Sequence, residues 1–397
     1  MTAVGAAAPL ARIVPQNQVL PALVVIGGLA GAGAGFVTVA PNRLVSGTGI
    51  ALASSVPPLL TAALAVLGLL LLSLGFARAG RSRHYLAAVL AGAALAVTFG
   101  AAGRAAAMLA VGASATTAIS LGGGFWVIFA CAALALIDAL RRAGIGAMAQ
   151  LLIAVLAVAI FIAMSKSGLF DALSLAREYA GRREVFAAAV IRHAELVVAA
   201  IVPALLIGVP LGVLARRRAR FEAPIFTTLN LVQTVPSIAL FGLLIEPLSG
   251  LANAVPVLGR LGVGGVGPAP AIIALTLYGL LPIARNTLAG LADVSPAALD
   301  AGRGMGMTRG QLFRQLEIPL ALPVLLAGLR VVLVQTIGLT VVAALIGAGG
   351  LGTFVFDGLG QYATDLVLLG ALPAIAMALA VDFLLRLATG AMPQRAP

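Results

Sequence analysis

Ten apolar stretches recur along this chain, near residues 18–40, 56–76, 85–102, 123–140, 147–165, 195–214, 224–246, 269–289, 321–341 and 365–386. Each is close to the ~20 residues a helix needs to cross the hydrocarbon core of a bilayer. They are rich in Ala, Leu, Val and Gly and show no period-two alternation, so they are predicted as helices and not as barrel strands. Lipid offers no partner to backbone N–H and C=O groups, which must be satisfied within each helix. The expected fold is an all-α polytopic membrane protein with ten transmembrane helices.

Composition agrees. Of 397 residues, 61% are hydrophobic and 10% charged, whereas soluble domains carry roughly 25% charged residues. The net charge of +12 does not point to nucleic acid. The basic residues are scattered at span ends, and no basic run is interleaved with aromatics. The partner implied is the lipid bilayer. The single cysteine, Cys131, lies inside an apolar run and reads as packing. His84 and His193 are far apart, so no metal site is expected. The chain has no G-x-x-x-x-G-K-[ST] sequence, and its one lysine is Lys166. No nucleophile–base set is legible, and Asp138, Glu246 and Asp382 lie near span ends. No catalytic residue is assigned, and the chain reads as a non-enzyme.

Arginine sets the topology. Arg78, Arg81 and Arg83 fall on one side of the membrane if the spans alternate. The same side receives Arg141 and Arg142, then Arg216, Arg217, Arg218 and Arg220, then Arg285, Arg303, Arg309 and Arg314. The positive-inside rule makes that side the cytoplasm and places both termini there. Segment 166–194 is expected outside as an amphipathic surface helix, with Lys166, Arg177, Arg182, Arg183 and Arg192 offset by Asp171, Glu178 and Glu184. The first span follows Arg12 and ends Val-Thr-Val-Ala before Pro41; it is expected as a retained anchor and not a cleaved signal. The chain divides near residue 166 into a five-span accessory region, 1–165, and a five-span region, 166–397.

Within the second region lies a polar interlude, Ser295 to Pro323. Ser295-Pro296 is a helix start, a side-chain cap followed by a ring tolerated at the first helical position. Gly302, Gly304 and Gly306 are predicted to break that helix. Thr308 and Gln311 have capping-box spacing and start a second helix, with Leu312, Phe313 and Leu316 on one face. Pro319 is expected to end it and Pro323 to open the next span. The object predicted is a helical hairpin on the membrane surface.

The seventh span carries Asn230, Gln233, Thr234 and Ser237 at i, i+3, i+4 and i+7, one face of a helix. A polar stripe in a membrane faces protein or water. Pro236 within it frees the carbonyl of Val232. Thr336 and Thr340 share a face of the ninth span, and Gly27, Gly31 and Gly35 form a small-residue stripe in the first.

The interlude resembles the EAA loop of ABC-importer permeases, whose pattern is Glu-Ala-Ala, a glycine four residues on, then Ile-x-Leu-Pro. Here it reads Asp300-Ala301-Gly302, then Gly306, then Leu316-Glu317-Ile318-Pro319. The departures are Asp for Glu, Gly for the second Ala, and swaps at the aliphatic positions. Ala301 to Met307 (AGRGMGM), Leu345 to Gly352 (LIGAGGLG), Ala271 to Asn286 and the seventh span resemble the osmoprotectant branch, permeases for glycine betaine, choline and carnitine. The resemblance covers residues 166–397. The G-x-G-x-x-G within LIGAGGLG closes a membrane span instead of joining strand to helix, so it reads as a turn and not a dinucleotide site.

The resemblance implies a type I importer core and a coupling loop, 290–320, that docks a separate cytoplasmic ATPase holding ATP and Mg. The coupling residues implied are Asp300, Ala301, Gly302, Gly306, Leu316, Ile318 and Pro319. Pathway candidates are Asn230, Gln233, Thr234, Pro236, Ser237, Thr336 and Thr340. The further partners implied are an exterior or periplasmic substrate-binding protein and a second permease copy, in the bacterial inner membrane. The alternatives are an ABC permease for methionine or another amino acid, and an ion-coupled secondary transporter.

Overall fold

The computed structural model describes residues 17–42, 45–78, 80–114 and 116–390; Arg12 and both chain ends lie outside them. The chain forms two compact units, Met1–Arg177 and Glu178–Pro397. The division falls later than the 165/166 boundary because Phe170 and Leu173 are buried with Ala106 and Ile119 in the first unit.

The first unit holds α1 (Val19–Gly33), β1 (Gly35–Ala40), β2 (Thr48–Ala51), α2 (Leu52–Ser55), α3 (Pro58–Phe76), α4 (Arg81–Ala110), β3 (Ala118–Leu121), α5 (Gly123–Ala143) and α6 (Ala147–Lys166). α7 (Ser174–Gly181) runs across the division. The predicted first span is corrected here. α1 has 15 residues, about 22 Å at the usual helical rise, short of the hydrocarbon core. The chain then turns into β1, whose Phe-Val-Thr-Val sequence suits a strand. β1 is central in an antiparallel sheet of order β2-β1-β3, an element absent from the all-α expectation. Gly35 allows the pairing, since a Cβ there would lie 2.6 Å from Gly49 Cα. The Gly27–Gly31–Gly35 stripe is therefore interrupted. Gly27 meets Cys131 and Gly31 meets Ile128, while Gly35 belongs to the sheet.

The second unit contains α8 (Arg183–Arg217), α9 (Glu222–Thr234), α10 (Ser237–Ala254), α11 (Pro256–Arg260), α12 (Pro268–Ala292), α13 (Pro296–Gly304), α14 (Arg309–Gln311), α15 (Ile318–Val342), α16 (Gly352–Gly360) and α17 (Thr364–Gly390). Among the described residues nine helices are long and apolar enough to cross a membrane, four before Arg177 and five after it. The surface helix expected over 166–194 does not form as one piece. Residues from Arg183 onward already belong to the 35-residue α8.

α8 and α12 are the packed centre of this unit. Ala200, Ala204, Gly208 and Gly212 recur every fourth residue on α8 and are all buried. A Cβ on Gly208 would lie 2.8 Å from Ile283 Cγ2, and one on Gly212 would lie 2.5 Å from the Ala284 carbonyl oxygen. Small residues let two helices approach this closely without the hydrophobic drive that operates in water. α12 contacts α15 in the same way, with Gly328 against the Asn286 side chain and Gly290 against Ala321. Asn286 Nδ2 donates to the Pro282 carbonyl at 2.7 Å.

Candidate functional site

The interlude folds as a hairpin. Ser295 caps α13 by accepting from the Ala298 N–H. The helix runs through Gly302 and Gly304, and only Gly306 takes a left-handed conformation, φ +80°. The Met307 N–H donates to the Gly302 carbonyl at 3.1 Å and the Gly306 N–H to the Arg303 carbonyl at 2.9 Å. This is a Schellman closure, in which the left-handed residue is normally glycine. The sequence expectation of three helix-breaking glycines is thus corrected to one. Gly302 is buried because Leu312 and Leu316 from the returning helical arm of the hairpin pack on it, 2.6 and 2.7 Å from where its Cβ would be. Thr308 and Gln311 form the capping box.

The second arm does not end at Pro319. Residues Leu312–Glu317 form a π-helical turn, in which the Ile318 N–H reaches back to the Phe313 carbonyl. The widened turn accommodates the missing proline N–H, and the helical path continues from Arg309 to Ile346. Pro319 and Pro323 both lie within it. Asp300, Ala301, Ile318 and Pro319 are exposed, whereas Gly302 and Leu316 pack inside the hairpin. Glu317, almost fully buried, holds Arg217 Nη2 at 2.5 Å. The Arg217 guanidinium carbon lies 5.3 Å from the Phe313 ring centre. The hairpin is therefore fastened to the Arg-rich end of α8.

The polar stripe is divided. α9 ends at Thr234 and α10 begins at Ser237, with extended backbone at Val235 and Pro236 between them. The Val232 carbonyl is not left free; the Val235 N–H donates to it at 3.3 Å. Asn230 and Gln233 both turn to α12. Arg285 Nη2 donates to Asn230 Oδ1 at 3.1 Å, and Gln233 Nε2 donates to the Tyr278 carbonyl at 2.7 Å. The Tyr278 hydroxyl donates to the Val235 carbonyl, which fixes the elbow. Thr234 bonds its own helix at Leu231. Thr336 and Thr340 are buried, and the Thr340 hydroxyl donates to the Thr336 carbonyl at 2.7 Å. Among the described residues neither threonine is hydrogen-bonded to the α9–α10 elbow.

LIGAGGLG forms the turn expected of it. Gly347, Gly349 and Gly350 have φ of +75°, +81° and +85°. The turn seats on α8, where Arg192 Nε donates to the Ala348 carbonyl at 3.2 Å and a Cβ on Gly350 would lie 3.3 Å from His193. His193 is fully buried and its Nε2 pairs with the Ile337 carbonyl at 3.1 Å.

With this geometry in hand, the comparisons with known proteins are decisive. Residues 204–395 match the family described as binding-protein-dependent transport system inner membrane component. The osmoprotectant import permease protein OsmW of Salmonella typhimurium is 42% identical over 194 residues, 49% of this chain and 85% of that protein. This chain belongs to that permease family. The carnitine transport permease protein OpuCB of Listeria monocytogenes is 40% identical over 194 residues, 49% of this chain and 82% of that protein. Residues 16–176 of the permease match a second family, the N-terminal domain of ABC transporter permease YehY. A solved chain of the MetNI methionine ABC transporter in inward-facing conformations aligns with 54% of this permease and 99% of that chain, at 22% identity and TM-score 0.46.

Sequence reading missed two features of the permease core. The Arg217–Glu317 pair joins residues 100 positions apart, with no local pattern to mark it. The other is an ion cluster between α15 and α17. Arg330 Nε lies 3.2 Å from Asp382 Oδ1, and Arg386 Nε lies 2.8 Å from Asp382 Oδ2. Arg330 was visible as a lone charge in an apolar run, the usual mark of an ionised group with a partner.

Proposed function

We propose that this permease is the membrane subunit of an ATP-driven importer for osmoprotectants such as glycine betaine or related quaternary-ammonium solutes. The observation that carries the reading is the 37–42% identity, over 49% of this chain, to permeases named for osmoprotectant, carnitine and choline transport. These names favour osmoprotectants over an amino acid.

The hairpin is the dock for a separate cytoplasmic ATPase, which binds ATP and Mg. Asp300, Ala301, Ile318 and Pro319 offer the exposed surface. Gly302, Gly306 and Leu316 hold the hairpin's shape. Closure of the ATPase pair would push the hairpin, and the unbroken path into α15 together with the Arg217 tie would carry the motion to α8 and α12. The α9–α10 elbow, with Asn230, Gln233, Thr234, Pro236 and Ser237, borders the translocation pathway. Thr336 and Thr340 support it from α15. A binding protein delivers solute from outside, and a second permease copy completes the pore. The chain resides in the bacterial inner membrane with both termini in the cytoplasm. Residues 1–177 are an accessory membrane region and 178–397 the permease core.

Copurification and uptake test this reading. The permease should bring down an ABC ATPase, and the reconstituted complex with its binding protein should take up glycine betaine or choline only with ATP. Asp300→Lys should weaken the association without loss of folding, because the Asp300–Arg303 pair is exposed and contributes little stability. An assembly that hydrolyses ATP but moves no quaternary-ammonium solute would overturn the substrate class.

A further inference from the structure

At the end of the permease core that bears Arg216–Arg220 and the hairpin, α9 and α12 wall an open cleft. Its volume is about 870 Å³, in the usual range for small-molecule sites. Three of its α9 side chains, Glu222, Phe226 and Asn230, recur every fourth residue and so share one helix face. Arg285 reaches in from α12. Its guanidinium carbon lies 5.8 Å from the centre of the Phe226 ring, and one of its amino groups is held by Asn230 at 3.1 Å.

The arrangement has a definite chemistry. Asn230 accepts from a single guanidinium nitrogen, and the guanidinium carbon sits over the Phe226 ring. The other N–H groups remain available for a fork-like contact with a carboxylate. Among the described residues neither Arg285 nor Glu222 forms an ion pair. The cleft thus presents a cation seated on Phe226 and held by Asn230, and, about two helical turns along α9 from Asn230, a carboxylate at Glu222 without a counter-charge. A quaternary ammonium group is attracted to a carboxylate. A solute carrying both an ammonium and a carboxylate matches the whole line, whereas one carrying only the ammonium matches half of it.

We propose that this cleft is a solute site at the inner mouth of the pathway, and that Arg285 selects for a carboxylate on the quaternary-ammonium solute. The proposal rests on the osmoprotectant reading above. Arg285 and Asn230 bind the carboxylate, Glu222 binds the ammonium, and Phe226 seats the Arg285 guanidinium.

The test uses the complete importer, permease with ATPase and binding protein, in proteoliposomes. Uptake of glycine betaine, which has a carboxylate, is compared with that of choline, which has none. Selection by the binding protein is the same for every permease variant, so a change in the ratio of the two rates reports on the permease. Arg285→Gln should lower glycine betaine uptake about tenfold relative to choline, the scale of one lost charge-assisted hydrogen bond. Arg285→Lys should recover part of that ratio. Glu222→Gln should shift the ratio the other way, and since Glu222 is exposed this variant keeps the test open if Arg285→Gln does not assemble. Equal loss for both solutes in the Arg285 variants, or an unchanged ratio in Glu222→Gln, would overturn the proposal and leave Arg285 with a packing or coupling role. Failure of the unsubstituted importer to move either solute would instead overturn the osmoprotectant reading.

Discussion

Arg217 and Glu317 meet at 2.5 Å although 100 residues separate them in the chain. Glu317 is 7% exposed and Arg217 is 48% exposed at the side chain, so the pair has one buried partner and one at the surface. Removing the arginine strands a buried carboxylate; removing the glutamate leaves a cation that water can reach.

The two single substitutions should therefore differ. Arg217→Ala is expected to destabilise the core by about 2 kcal/mol, and Glu317→Ala by roughly 1 kcal/mol. Denaturation in detergent checks the order, and a double-mutant cycle isolates the coupling. Both should slow ATP-driven uptake more than they slow ATP hydrolysis, because the hairpin would remain but its tie to α8 would not.

Gly306 sits at φ +80°. A side chain there is strained even in open space, and Gly306→Ala should cost about 1 kcal/mol locally. Since the penalty falls on the hairpin turn, the expected result is weakened capture of the ATPase with little change in the amount of permease in the membrane. Gly302→Ala should be milder: the new Cβ would meet the flexible ends of Leu312 and Leu316, which can give way.

Gly212 faces the backbone oxygen of Ala284 at a distance no Cβ tolerates. Gly212→Val should force α8 away from α12, at a cost of at least about 3 kcal/mol, the scale of severe overpacking. Loss of the folded permease, read as aggregation on size-exclusion chromatography, is expected. Gly242, with no heavy atom near its Cβ position, should accept Ala without that effect.

Tyr278 secures the α9–α10 elbow through the Val235 carbonyl. Tyr278→Phe keeps the ring and removes that bond, at about 1 kcal/mol. Gln233→Leu removes the reciprocal bond to the Tyr278 carbonyl. Either change should increase amide hydrogen exchange at 233–238 while leaving α12 protected, as measured by mass spectrometry.

Asp382 is shared by Arg330 and Arg386. Asp382→Asn leaves two cations without a counter-charge beside a part-buried site, and the loss should be on the order of 1–3 kcal/mol. Adding Arg330→Gln should recover much of the stability in thermal unfolding. No recovery would show that the two residues act independently.

Periodicity and composition made the long helices legible, because lipid imposes one rule on every spanning segment. The hairpin was legible for a different reason: Ser295, Thr308 and Gln311 act through bonds to neighbours three residues away, and such caps are written locally. What was hidden depends on long-range partners. The strand at Gly35–Ala40 forms because β2 and β3 flank it, so an apolar run that looked like the second half of a span became a strand. The α8 stripe of Ala200, Ala204, Gly208 and Gly212 was present in the sequence, but small residues are common throughout this chain and only the facing α12 distinguishes them. The break at Val235–Pro236 was half visible, since the proline was read as a kink and not as the start of a new helix.

The path from Arg309 to Ile346 has 38 residues, or about 57 Å at 1.5 Å per residue. That is nearly twice the ~30 Å of hydrocarbon it would have to cross. In the proposed orientation it works as a pushrod: one end stands clear of the lipid at the ATPase, and the other ends at the glycine turn seated on His193. A thrust applied at Ile318 needs no relay of side chains to arrive at that turn. The wide π turn and Pro323 are soft points along that rod, and their stiffness sets how much of a stroke applied at the hairpin reaches the far side of the membrane.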